Sequence, residues 1–198
     1  PSRASRLESK DREALLPWDR IASVLRPYPG LTYADLGAGP GVFTRKLLGV
    51  TRGEGRFLAV ESQGEMLKVL RSRLRGWVRE ALPGAAKVKV LPAGDGIPLP
   101  DLSVDRALLI HLLHELPDVA GYLRHLRRVL QPWGRAVIVD WNTTADAPWV
   151  GAAGPPLGSR VSASQAKACA RQAGLGVLQQ MAGLRHGWGL VLGPSVSI

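Results

Sequence analysis

Residues 34–43 read ADLGAGPGVF, led in by the apolar run Leu31 to Leu36 and followed by the amphipathic segment Val42 to Leu48. This is the pattern of a buried strand, a tight turn and a helix start. Three alternating glycines, Gly37, Gly39 and Gly41, make up the turn. Glycine reaches positive φ without steric penalty and lets a ligand approach the backbone closely. The helix behind such a turn offers unpaired N–H groups to an electron-rich ligand. The dinucleotide fingerprint G-x-G-x-x-G fails because Val42 stands where its third glycine belongs, and no G-K-[ST] follows for a phosphate loop. The pattern that stands is D-x-G-x-G-x-G, from Asp35 to Gly41.

Working outward, strands alternate with helices for most of the length. Arg56 to Val60 is a second short apolar strand ending at Glu61, 20 residues past Gly41. That spacing is close to the one at which open α/β folds place a carboxylate for a ribose diol. An ionised carboxylate has acceptor sites for two hydroxyl donors. Glu65 to Ala81 is a helix with Leu67, Leu70, Leu74, Trp77 and Ala81 on one face and Lys68, Arg71, Arg75 and Arg79 on another. Lys87 to Leu91 and Asp105 to Ile110 are the third and fourth strands, and Val119 to Leu130 is a helix with a leucine core stripe. Then QPWG predicts a turn before a fifth buried strand. A Gly- and Pro-rich loop, Asn142 to Arg160, precedes a helix capped by Ser162 or Ser164 and stopped by Gly174. Leu175 to Met181 and Trp188 to Leu192 are the last strands. Ahead of the first strand, a helix begins near Pro17 and ends before Pro27.

The chain has 198 residues, 45% of them apolar, which suits one folded domain over residues 11–198 behind a loose segment, residues 1–10. No run of about 18 apolar residues exists, and the first residues, PSRASRLESKDRE, do not read as a secretory signal. One cysteine, Cys169, forms no internal disulfide and leaves no cysteine-based metal site, so no metal is expected and a reducing cytoplasm is the expected setting. The net charge of +10 admits a nucleic-acid partner or simple solubility. The basic stripe from Lys68 to Arg79 is read as a solvated face.

From Asp35 to Gly41 the sequence resembles the first motif of the class I S-adenosylmethionine-dependent methyltransferases, and the resemblance spans almost the whole chain. It implies a Rossmann-like, doubly wound seven-stranded sheet, mainly parallel with the last strand antiparallel, helices on both faces, and a leading helix over the cofactor cleft. PAGDGIPLPDLSVD resembles the family's link between the third and fourth strands, which implies that Asp95 accepts from the adenine amino group and Ile97 packs on the adenine ring. His114 to Asp118 matches the family's His-x-L-P-D run. QPWGRAVIVDWN resembles its L-x-P-G-G-R strand segment, with Trp133 in place of a glycine. GPPLGSR, Gly154 to Arg160, resembles a segment of small methyltransferases and is placed at the substrate mouth. The implied cofactor set is Asp35, Gly37, Ala38, Gly39, Gly41, Glu61, Ser62, Gly94, Asp95, Gly96, Ile97 and His111.

The reaction that follows is in-line displacement of a methyl group from a sulfonium, in which the protein chiefly aligns a nucleophile. His111, His114 and Asp140 are the candidates for work near the methyl; a histidine suits a base because its ordinary pKa lies near neutrality. The expected acceptor is a small molecule. Two alternatives stay open: an RNA methyltransferase, suggested by the charge, and a protein that binds the cofactor without turnover. Against RNA, the fourth strand ends IHLLHE, without the Asn- or Asp-Pro-Pro-aromatic segment used on exocyclic base amines. Acceptor identity and oligomeric state are not legible.

Overall fold

The computed structural model describes residues 16–81, 87–144, 154–184 and 186–195. The segment 1–10 therefore lies outside the described residues, as do residues 145–153 of the loop after Asn142. Seven strands form one sheet: β1 (Thr32–Leu36), β2 (Arg56–Glu61), β3 (Lys87–Pro92), β4 (Val104–Ile110), β5 (Leu130–Trp141), β6 (Leu175–Met181) and β7 (Gly187–Pro194). Their order is β3-β2-β1-β4-β5-β7-β6. The first five run parallel to one another, while β7 lies antiparallel between β5 and β6. The sheet is the expected doubly wound one, with the last strand reversed.

Helices α1 (Trp18–Leu25), α2 (Val42–Val50) and α3 (Gly64–Ala81) cover one face; α4 (Val119–Val129) and α5 (Ala163–Gln172) cover the other. Strand side chains alternate between the two layers. Tyr33, Phe57, Leu108 and Val137 pack under α1 to α3 with Ile21, Leu47 and Leu70. Ala34, Leu36, Leu109 and Ile138 pack under α4 and α5 with Leu123, Leu126 and Ala166. Helix α5 starts on a capping box in which Ser162 and Gln165 exchange side-chain and backbone bonds. The last turn of α1 holds no basic residue of its own. Two strand arginines serve it instead: Arg135 Nη1 donates to Val24 O at 3.1 Å and Arg106 Nε to Arg26 O at 3.3 Å, which satisfies carbonyls a helix end leaves open.

One expectation is corrected. The residues QPWG do not form a turn outside the sheet; β5 begins at Leu130, which pairs with Val104, and the register then shifts so that Arg106 faces Arg135. The Trp133 indole N–H donates to Asp105 Oδ1 at 2.9 Å, so this segment is tied to the base of β4 as a bulge.

Because the strand order reverses between β1 and β4, their carboxyl ends flank the crevice where open α/β sheets bind ligands. The glycine turn sits at that point. A Cβ on Gly41, whose φ is +88°, would lie 2.6 Å from Leu70 Cδ1 and 3.0 Å from Trp77, whereas a Cβ on Gly49 would meet nothing. Gly41→Ala should therefore lower the unfolding free energy by about 1–3 kcal/mol, and Gly49→Ala should raise it by up to about 1 kcal/mol; urea denaturation of the two variants measures both.

Candidate active site

The turn after β1 is built from left-handed residues: φ is +73° at Gly37, +54° at Gly39 and +88° at Gly41. The N–H groups of Gly37 and Ala38 donate to Val60 O at 2.9 and 3.0 Å, which fastens the turn to β2. Its centre is held by a side chain. Glu61, 6% exposed, accepts from Gly39 N through Oε2 at 2.7 Å and from Gln63 N through Oε1 at 2.8 Å. Each carboxylate oxygen keeps a further acceptor site, which is the chemistry a vicinal diol needs. Ser62 beside it is exposed.

Asp35 lies behind the turn. Its Oδ2 accepts from Thr44 Oγ1 at 2.6 Å, so its described hydrogen bonds run to the first turn of α2. Burial pushes this carboxyl up to about 6; the Thr44 hydrogen bonds oppose that push and the Glu61 charge adds to it.

The third wall follows β3. Ala93 N donates to Glu61 O at 2.9 Å, Gly94 and Asp95 are exposed, and Ile97 is buried. Helix α4 shapes this wall, a contribution the sequence reading missed. Arg128 donates to Leu99 O and Ile97 O, each at 2.9 Å, and to Asp101 at 2.6 Å. His125 fills the space beside Gly96, where a Cβ would come within 2.7 Å of its ring. Tyr122 is held well above its usual pKa, by burial first and by the Glu61 charge second. The available signal was spacing: Tyr122, His125 and Arg128 recur every three residues along one side of the helix.

The fourth wall comes from the tips of β4 and β5. His111 has φ +55°, a left-handed conformation uncommon among residues other than glycine, and its ring stacks on Trp141 at 4.2 Å with 20° between planes. Leu112 stands against Gly37. The short 3-10 turn Leu113–Glu115 carries His114, whose Nδ1 lies 2.8 Å from Asp140 Oδ1. The Arg160 guanidinium, buried, lies over Trp141 at 5.5 Å, which brings the end of the GPPLGSR segment to β5. The sequence-predicted groups thus lie in the last residues of β1, β2 and β5 or in the segments that follow β1 to β4, and two of the candidates, His114 and Asp140, touch.

The methyltransferase domain family matches residues 34–138, more than half of the chain. The chain belongs to the class I S-adenosylmethionine-dependent methyltransferases. S-adenosylmethionine is accordingly its cofactor, and the donor set above fits it: an acid with spare acceptor sites at the second strand, an exposed acid at the third, and a turn held open by glycine. The ubiquinone/menaquinone biosynthesis C-methyltransferase UbiE of Shewanella frigidimarina is 29% identical over 129 residues, 64% of this chain and 49% of that one. An uncharacterized 37.1 kDa protein in a transposon of Streptomyces fradiae is 37% identical over 125 residues, 61% of this chain and 34% of that one. The chain thus spans a third to a half of these relatives. Among solved structures, a SAM dependent methyltransferase from Aquifex aeolicus superposes with a TM-score of 0.83 at 24% identity, covering 97% of each chain. One from Mesorhizobium loti gives 0.67 at 17% identity, covering 94% of this chain and 99% of that one.

Two outcomes follow from the acids. Glu61→Gln replaces one acceptor oxygen by an N–H₂ facing a backbone N–H, so S-adenosylhomocysteine should bind at least ~10-fold more weakly by calorimetry and thermal stability should fall. Asp35, with a folded-state value of about 6 against the ordinary 3.8, holds its proton more tightly folded than unfolded. Stability should therefore fall as pH rises through that interval and level off above it, and Asp35→Asn should remove this slope in denaturant titrations run across it.

Proposed function

We propose that this methyltransferase acts on a small-molecule acceptor by direct in-line displacement, with Gly37, Ala38, Gly39, Gly41, Glu61, Ser62 and the Gly94–Ile97 loop holding the cofactor. Asp35 supports the turn from behind. The observation that carries the reading is the convergence of five strand ends: an acid and a glycine turn on the cofactor side, and the paired His114 and Asp140 on the other. The relative named for ubiquinone/menaquinone biosynthesis supports an acceptor of low molecular mass.

The charge of +10 has structural uses that weaken the RNA alternative. Arg106 and Arg135 close the end of α1, and Arg128 pins the loop after β3. Incubation with S-adenosylmethionine labelled in its methyl group should move label into compounds of a metabolite extract and not into RNA. Glu61→Ala should abolish the transfer. Labelled RNA at physiological salt would favour the RNA alternative, and binding of S-adenosylhomocysteine with no transfer to either pool would favour a non-catalytic binder.

A further inference from the structure

At the foot of the sheet, away from the cofactor crevice, we infer that Arg26, Arg106 and Arg135 form a binding site for a phosphate or diphosphate group. The strand register brings two of them together. Arg106 and Arg135 are paired positions on the neighbouring parallel strands β4 and β5, and such strands lie about 4.8 Å apart. Both side chains are half-buried and turn to the same face, where Arg135 Nη1 donates to Val24 O and Arg106 Nε to Arg26 O. Arg26 closes α1 in a left-handed conformation, φ +54°, and is exposed. The segment that carries it is anchored: the Tyr33 hydroxyl accepts from Tyr28 N at 2.7 Å and donates to Tyr28 O at 2.5 Å.

Closing the helix end accounts for only part of this cluster. A helix terminus contributes about half a negative charge, against three guanidiniums. Among the described residues no carboxylate forms an ion pair with any of the three. Asp105, the acid beside Arg106 in the chain, is committed elsewhere: its Oδ2 accepts from Thr32 N and its Oδ1 from the Trp133 indole, each at 2.9 Å. Burial, with Arg26 and Arg106 adding to it, holds Arg135 below its usual pKa, and burial lowers Arg106 against the pull of Asp105. All three still carry their charge near neutrality. Like charges gathered in a half-buried place destabilise the free chain, and a left-handed arginine adds a conformational cost at the same spot. A phosphate group relieves the repulsion, because it brings up to two negative charges and several acceptor oxygens that guanidinium forks match. Donors remain for it. Arg135 uses one N–H on Val24 O, Arg106 uses two, on Arg26 O and Asp105 O, and the Arg26 side chain makes no described hydrogen bond. Arg106 stands four residues before Ile110 at the crevice end of β4, a separation of about 13 Å along the strand, so the two sites do not overlap.

The test is a calorimetric titration of the full chain with inorganic pyrophosphate at about 0.15 M salt, where diffuse surface attraction is largely screened. One pyrophosphate should bind per chain with a Kd below about 1 mM, and it should raise the melting temperature. Arg26→Gly should weaken binding by about tenfold or more. Glycine suits the left-handed position and removes the repulsion, so the same variant should melt higher than the unaltered chain when no anion is present. Arg71→Ala, on the exposed face of α3, should leave the pyrophosphate Kd within about twofold. Saturating S-adenosylhomocysteine should leave it unchanged as well. Absence of pyrophosphate binding, binding equal in Arg26→Gly, or an equal loss in Arg71→Ala overturns the proposal. So does competition with S-adenosylhomocysteine, which would place the anion at the glycine turn, and so does saturation by single-stranded RNA where pyrophosphate does not bind.

Discussion

Two backbone N–H groups from different segments, Gly39 in the turn after β1 and Gln63 ahead of α3, converge on one buried carboxylate, that of Glu61. Unmade, the Gly39 N–H and the Glu61 carboxylate would be buried polar groups without these partners. Made, they fix the path of the glycine turn relative to β2 and the entry of α3. A ligand meeting Glu61 therefore meets an acid already held in place, and the ordering of that side chain is completed in folding rather than in binding. The backbone beside this clamp ties in two further segments: Val60 O holds the turn from one side, and the Glu61 carbonyl receives Ala93 at the start of the third wall.

The sheet was legible because its signals are local. Apolar runs separated by helical periods, with glycine and proline as punctuation, give the alternation of strands and helices, and the tight pair at the end gives the reversed strand. Glu61 was legible from its distance to the glycine turn. What the sequence hid depends on side chains brought together over long separations. Asp35 and Thr44 meet only because α2 folds back over β1. His114 and Asp140 are 26 residues apart and meet because β4 and β5 are parallel neighbours whose tips are level. The contribution of α4 was masked by its leucine stripe, which accounts for the helix without reference to Arg128 or His125. The QPWG segment reads as a turn because proline and glycine are turn formers; pairing of Leu130 with Val104 overrides that local preference.

The arginines carry structure as well as charge. A basic total invites a polyanion, and at least five of these guanidiniums, those of Arg20, Arg106, Arg128, Arg135 and Arg160, also donate to carbonyl oxygens of the chain itself. Guanidinium suits this use because its planar fork satisfies several acceptors at once while its stem lies along apolar surface. Net charge in such a protein is partly a by-product of fastening helix ends and loops.

Trp141 is a shared wall. Its indole rests against His111 from the tip of β4 and lies under the Arg160 guanidinium from the segment leading into α5. Since a close-packed interior shifts in discrete steps rather than by gradual yielding, a change in seating at either neighbour is felt by the other. The tip of β4 and the segment leading into α5 are thus joined through one rigid plate, so that a substitution at His111 is transmitted to Arg160 and the reverse.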